Sequence, residues 1–192
     1  MCRLLLPLLV VLAACDRPAS PAAVEPPGPS GSPARLAPDT VDVQGVSLAT
    51  ARLEAVGGSG VSGTLRLAQV AGGTRVRLLL DGLRGTGRYS VQILHGRDCE
   101  SDPAQHLGAA DGLPHGAMAS PGGARHAGDL GHVLARDGRG RYDRIDTVLR
   151  LDGTHAAVGR AAVIRSGVDD GVTQPDGGAG PVVACGVIRP GR

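Results

Sequence analysis

The strongest constraint on the fold is a period-two alternation of apolar and polar residues that glycine interrupts at short intervals. Residues 64–70 and 74–78 alternate in this way, and residues 161–164 do so less regularly. Such alternation is typical of strands with one buried face. Glycine-containing breaks occur at positions 57–58, 72–73, 82–87 and 137–138. No long segment shows a helical period, so we predict an all-β domain, either an antiparallel sandwich or a barrel.

Two segments that lack a strand pattern, residues 96–130 and 166–181, are predicted to be long loops. Loops of that length inside a compact domain are usually functional or held in place by something. The sequence offers two candidate fasteners, a metal ion and a disulfide. We therefore expect these loops to carry the site.

The N-terminus has the features of an export signal. Arg3 supplies a positive charge, and residues 4–12 are apolar but too few to span a bilayer. The run Leu12-Ala13-Ala14-Cys15 resembles a bacterial lipoprotein cleavage box, which implies removal of residues 1–14 and acylation of Cys15. The alternative is an ordinary signal peptide cut after Ala14, with Cys15 left free. Both interpretations export the chain, and the first anchors it by lipid to a membrane, facing the periplasm or the cell exterior.

The rest of the chain divides into a tether, residues 15–41, and a folded domain, residues 42–192. Seven of the 14 prolines lie in residues 16–39, which favours an extended tether. The domain is long enough for a single core. Because the chain has no Phe and no Trp, we expect that core to consist of Val, Leu, Ile and Ala. The net charge is only +2 and there is no basic run, so we expect no nucleic-acid partner.

Cysteine usage predicts one disulfide. Cys2 is lost with the signal peptide and Cys15 takes the lipid, which leaves Cys99 and Cys185 as an even pair in an exported protein. Cysteines in such a setting usually pair.

The most specific chemical signal is the spacing of three histidines and an aspartate. His106, His115 and His126 are followed by Asp129 in the motif His-Ala-Gly-Asp. Three imidazoles and one carboxylate can close a tetrahedral shell around one zinc ion. The alternative is that these histidines are ordinary surface residues of a metal-free loop.

Four segments, in the same order along the chain, together resemble the Cu,Zn superoxide dismutases and in particular their bacterial exported branch. The resemblance runs from about Gly45 to Ile188. The segments are Gly96-Arg97-Asp98-Cys99, residues 106–130 with Arg125-His126-Ala127-Gly128-Asp129-Leu130, residues 158–164, and residues 179–188 with the closing Ala-Cys-Gly-Val-Ile. The resemblance implies an eight-stranded Greek-key β-barrel or sandwich, which agrees with the strand pattern.

The resemblance also implies roles for individual residues at the zinc site. His106 falls where the family has the imidazolate that bridges copper and zinc, and the other zinc ligands fall on His115, His126 and Asp129. Asp169 matches the carboxylate that orients a zinc-bound imidazole. The pair Cys99 and Cys185 matches the family disulfide.

The copper site does not carry over in the same way. The family's other three copper ligands fall on Gln92, Leu94 and Arg165, so only His106 is retained. His95 could replace one ligand after a one-residue slip, but such a slip turns a side chain to the opposite face of a sheet. The family's superoxide-guiding arginine falls on Val182. We therefore expect zinc as the cofactor and no copper.

These expectations lead to three hypotheses for function. The first is a membrane-anchored, zinc-stabilised binding or scaffold module without dismutase activity, whose protein partner and oligomeric state the sequence does not give. The second is a superoxide dismutase, converting superoxide to O₂ and H₂O₂, with a non-standard copper site of His95, His106 and Gln92. The third is a zinc-buffering or metal-trafficking lipoprotein, which the closed ligand set disfavours because zinc would exchange slowly.

Overall fold

The computed structural model describes residues 46–118 and 124–191. The predicted signal peptide, Cys15 and the tether of residues 15–41 lie outside the described residues. Within the described part of the chain, no helix is long and apolar enough to cross a membrane.

The described residues form nine β-strands and one short 3₁₀ turn at Ala109–Asp111. The strands are β1 Leu48–Ala55, β2 Ser62–Val70, β3 Gly73–Asp81, β4 Gly87–Ile93, β5 Asp129–Arg136, β6 Arg139–Asp146, β7 Ala161–Arg165, β8 Val182–Val187 and β9 Arg189–Pro190. The strands predicted at residues 64–70, 74–78 and 161–164 are confirmed, and each is slightly longer than predicted.

The strands close into an eight-stranded antiparallel barrel. Their order is β2-β3-β6-β5-β4-β7-β8-β1, and β1 pairs back onto β2, which leaves no free edge in this ring. The short β9 adds to β1. The connections from β3 to β4 and from β6 to β7 pass over intervening strands, as in a Greek key. The predicted all-β Greek-key barrel is thereby confirmed.

The alternation in the sequence determines which side of each strand faces the core. In β2, Leu65 and Leu67 are buried and Arg66 between them is exposed, and β3 repeats the pattern around Leu78. Burial of such side chains is the main favourable term in folding. The core is mostly Leu, Val, Ile and Ala, as predicted, but it also includes Tyr89 and Tyr142.

The two long connections are the parts of the fold that differ from a simple barrel. Residues 94–128 join β4 to β5, and residues 166–181 join β7 to β8. The predicted disulfide between Cys99 and Cys185 is confirmed, and it ties the first connection to β8. Closing a loop across the 86 positions that separate these cysteines is worth about 4.5 kcal/mol in the loop-entropy model. The first connection is therefore fixed against the barrel at a point close to the second.

Candidate metal centre

The structure brings together the three histidines and the aspartate of the spacing motif. One ligand-capable atom from each of His106, His115, His126 and Asp129 lies within 4.8 Å of those of the other three, and all four residues are buried. His106 is held by backbone pairing with Leu94 just beyond the end of β4. Asp129 is the first residue of β5. The first long connection thus supplies the histidines, and the barrel supplies the carboxylate.

A single oxygen of Asp129 is the centre of this group. Its Oδ1 lies 2.6 Å from His106 Nδ1, 3.1 Å from His115 Nδ1 and 3.5 Å from His126 Nδ1. The Nδ1 atoms of His115 and His126 are buried without a hydrogen-bond partner. Buried polar atoms rarely lack a partner unless something else satisfies them. Three nitrogens and one carboxylate oxygen converging in this way fit a tetrahedral zinc ion.

The remaining polar atoms of these residues are held by the surrounding chain. Asp129 Oδ2 accepts hydrogen bonds from the backbone N–H groups of Gly116 and His126, at 3.0 and 3.1 Å. His126 Nε2 lies 2.7 Å from the carbonyl oxygen of Leu113. Contacts of this kind fix the tautomer and the angle of a metal-binding imidazole. This contact leaves the Nδ1 atom of His126 free to face the centre.

Asp169 links the two long connections at His115. Its Oδ1 lies 2.7 Å from His115 Nε2. Gly177 makes room for this contact, because a Cβ atom at that position would lie 2.2 Å from Asp169 Oδ1 and 2.6 Å from His115 Nε2. The placement of Asp169 against a centre histidine is the one that the resemblance implied.

Two supporting residues were not found by the sequence analysis. The side chain of Gln174 accepts a hydrogen bond from the His115 N–H at 2.8 Å and donates one to the His115 carbonyl at 3.0 Å. Gln174 lies 59 positions away along the chain. No local signal in the sequence links the two residues.

The second is Arg125, which is buried directly before the His-Ala-Gly-Asp motif. Its guanidinium donates to the carbonyl oxygens of His126 and Asp129, at 2.9 and 3.0 Å, and pairs with the buried carboxylate of Asp146. Removing one partner of a buried ion pair is strongly destabilising. Arg125 therefore fastens the turn that carries two centre residues to the end of β6.

The charges in the centre shift the pKa values of its members. Burial lowers the pKa of His115, but the nearby carboxylates of Asp129 and Asp169 outweigh that effect and raise the pKa to about 9. Burial of Asp129 opposes ionisation, but the three imidazoles that face its carboxylate hold its pKa well below the usual range. Without a metal ion, the protonated and positively charged form of His115 is thus stabilised at the place where a cation fits.

Gln92, Leu94 and Arg165 lie beside this centre and all three are buried. Gln92 donates a hydrogen bond to Asp169 Oδ2 at 3.1 Å, so Asp169 joins Gln92 to His115. Leu94 packs in a small apolar cluster with the disulfide residue Cys185.

Arg165 makes the largest number of contacts of these three. Its guanidinium pairs with Asp176 at 2.5 Å and donates to the carbonyl oxygens of Gly180 and Pro103, at 2.6 and 3.0 Å. It also reaches the Gln92 side-chain oxygen at 3.4 Å. Because Pro103 lies in the first long connection and Asp176 in the second, Arg165 joins both connections to β7.

The remaining histidines lie outside the group. His95 is exposed. It differs in this from His106 of the metal-binding group, which is buried and whose Nε2 atom has no hydrogen-bond partner. His155 pairs with Asp111 at 2.5 Å. His132 lies on β5. Among the described residues, the group around Asp129 is the one set of three or more His, Cys, Asp or Glu side chains placed to hold a metal ion.

Fold and site together define a class: a Greek-key barrel whose long connections build a buried His/Asp metal-binding group. The family described as copper/zinc superoxide dismutase (SODC) matches residues 61–188. The chain belongs to this family.

Individual proteins with similar sequences or structures agree with this family membership. The chain is 30% identical over 142 residues to a Cu-Zn superoxide dismutase of Deinococcus radiodurans, covering 67% of this chain and 78% of that protein. It is 28% identical over 141 residues to a Cu-Zn superoxide dismutase of Paramecium bursaria Chlorella virus 1, covering 67% of this chain and 72% of that protein. The crystal structure of the clock protein EA4 is similar with a TM-score of 0.66 and 30% identity, over 75% of this chain and 94% of that one.

The raised pKa of His115 predicts how the stability of the metal-free protein depends on pH. The folded state keeps a proton on His115 up to about pH 9, whereas the unfolded chain releases it near 6.5. Folding therefore binds a proton in this window, and the free energy of unfolding should fall as pH rises from 6.5 to 9, by on the order of 2 kcal/mol. Urea unfolding in the presence of a chelator measures this slope.

The matched control is His115→Gln, which removes the titrating group and should flatten the slope between the same two pH values. A free energy of unfolding that stays level or rises across this window in the wild type would contradict the raised pKa of His115 in the metal-free centre.

Proposed function

We propose that this protein is a zinc-stabilised, superoxide dismutase-like binding or scaffold module that holds no copper and does not dismutate superoxide. The observation that carries the proposal is Arg165. Its buried guanidinium, together with Gln92 and Leu94, lies where the family resemblance places three copper ligands. The domain would be exported and anchored to a membrane through a lipid on Cys15.

Zinc is supported by the donor set and by its surroundings. Three imidazole nitrogens and one carboxylate oxygen are a ligand set that zinc accepts in structural sites. Two of the nitrogens are buried and unsatisfied, and Asp169, Leu113 and Gln174 already hold the histidines in place. Zinc would therefore enter a site whose ligands are largely arranged in advance.

The absence of copper is supported by the chemistry of the three replacements. A guanidinium stays protonated in proteins and has no free lone pair to offer a metal. An alkyl side chain offers none either, and the Gln92 amide is engaged with Asp169 and with the carbonyl oxygen of Asp176. A copper ion at this position would also meet the positive charge of Arg165. The remaining family ligand is His106, whose Nε2 atom is buried without a hydrogen-bond partner.

A protein of this kind would lack dismutase activity for a chemical reason. Dismutation needs a metal that alternates between two oxidation states, and zinc has no accessible redox step. Four protein ligands around zinc also leave no open position for a substrate. The two long connections would be held rigidly by metal, disulfide and Arg165, which suits a recognition surface.

One observation favours a second candidate, a superoxide dismutase with a non-standard copper site. The buried Nε2 of His106 has no partner, as a bridging ligand would before metal enters. The histidine that would have to join it, His95, is exposed. Without His95, copper would have His106 and the side-chain amide of Gln92 as ligands, and that amide already donates to Asp169 and to the carbonyl oxygen of Asp176. Such a site would bind copper weakly. A zinc-buffering role is disfavoured because all four ligands are buried.

Location and partners are proposed from the sequence. A Leu-Ala-Ala-Cys box at residues 12–15 supports lipid anchoring, and the proline-rich residues 16–39 support a tether between membrane and domain. The low net charge argues against a nucleic-acid partner, so the partner proposed for a scaffold module is a protein.

The zinc part of the proposal predicts that zinc stabilises the protein through His126. At a zinc concentration about a thousandfold above Kd, binding adds about 4 kcal/mol to the free energy of unfolding. His126→Ala should lose most of that gain, seen as a much smaller rise in Tm when zinc is added. His155→Ala is the matched control, because His155 pairs with Asp111 outside the group, and it should respond to zinc as the wild type does. Equal zinc responses in wild type and His126→Ala would overturn the site.

The copper part predicts that copper binding can be restored. Changing Gln92, Leu94 and Arg165 together to His supplies three imidazoles around His106 Nε2, so the variant should take up copper where the wild type does not. Metal analysis and the electron paramagnetic resonance spectrum of Cu²⁺ measure this uptake. The control carries Ala at the same three positions, which removes the same side chains without adding ligands. A folded, zinc-loaded triple-His variant that binds no more copper than the Ala control would contradict the alignment of these positions.

A further inference from the structure

A separate cavity of about 400 Å³ lies beside the metal centre: Asp169, which contacts His115, is part of its wall, and Arg165 is not. Three strands contribute one basic or titratable side chain each to its wall: Arg88 on β4, His132 on β5 and Arg144 on β6. The two long connections complete the wall with residues 116–118 and 168–171. None of the three strand residues belongs to the His/Asp group.

Both arginines are available to a ligand. In the described part of the chain, neither Arg88 nor Arg144 forms an ion pair or a side-chain hydrogen bond, in contrast to Arg125 and Arg165. The Arg144 guanidinium lies over the Tyr142 ring, with its central carbon 5.6 Å from the ring centroid. Stacking of this kind orients a guanidinium and leaves its N–H edges free to donate.

The two carboxylates that line the cavity are already engaged by the protein. Asp169 accepts hydrogen bonds from Gln92 and from the Gly171 N–H, and contacts His115. Asp170 accepts from the backbone N–H groups of Val172 and Thr173 and from the Thr173 hydroxyl. These contacts hold both carboxylates against the second long connection.

The field at His132 is positive on balance. Burial lowers the pKa of this imidazole, and the charges of Arg88 and Arg144 lower it further, each with a larger effect than the opposing charge of Asp169. His132 is therefore neutral at physiological pH and can donate one hydrogen bond. The cavity thus combines two free cations with a neutral donor.

We propose that this cavity binds a small oxyanion, of which inorganic phosphate is the simplest example. Arg88 on β4 and Arg144 on β6 donate to its oxygens, and His132 donates from β5, the strand between them. Arginine is suited to this role because its planar fork matches the oxygens of a phosphate group. The site does not depend on which metal the neighbouring centre holds.

The test is a titration of the full chain with sodium phosphate, with the His132 imidazole followed by nuclear magnetic resonance. We expect a saturable shift of the His132 signals, which sodium chloride at matched ionic strength does not reproduce. Arg88→Gln and Arg144→Gln should each weaken phosphate binding about tenfold, since each removes one charge-assisted hydrogen-bond partner. The metal content of every sample is measured separately, so loss of metal cannot be mistaken for loss of the anion site.

Arg141→Gln is the matched control, because Arg141 lies on the same strand as Arg144 but lines a different surface depression. It should bind phosphate as the wild type does. The proposal is overturned if chloride produces the same shift, if no saturable shift occurs, or if Arg88→Gln and Arg144→Gln bind phosphate as tightly as Arg141→Gln.

Discussion

The arrangement of the site depends on the buried carboxylate of Asp129. One of its oxygens faces three imidazole nitrogens, and the other accepts two backbone N–H groups. A carboxylate with no exposure to solvent is costly unless it is fully paired. Its position at the start of β5 therefore requires the first long connection to fold back over the barrel. A metal ion among these atoms would satisfy the Nδ1 atoms of His115 and His126, which are buried without a hydrogen-bond partner.

A second charged group, centred on Arg165, adjoins the first. Asp169 contacts His115 on one side and Gln92 on the other, and Gln92 in turn reaches Arg165. The guanidinium pairs with Asp176 and with two carbonyl oxygens from different connections. In the proposed function, this fixed positive charge takes the structural place of a metal cation without its redox chemistry. The barrel of an enzyme family would then be retained as a rigid support.

Much of the fold and of the metal centre could be predicted from the sequence, and the contacts that were not predicted share a common cause. Alternation identified the strands because side chains on a strand point to opposite faces in turn, as Leu65, Arg66 and Leu67 show. Local spacing and resemblance likewise identified the His-Ala-Gly-Asp motif and the cysteine pair. Gln174 and the Arg125–Asp146 pair were missed because their contacts join residues far apart in the chain. The carboxylate that pairs with Arg165 is Asp176, a choice that depends on how the second connection folds.

The central claim is that zinc alone occupies this domain. The most direct test is the metal content of the purified protein after refolding with equal zinc and copper, measured together with superoxide dismutation. We predict about one zinc per chain, no copper and no activity above that of buffer. Copper close to one equivalent, with copper-dependent dismutation, would contradict it and would make the protein an enzyme despite Gln92, Leu94 and Arg165.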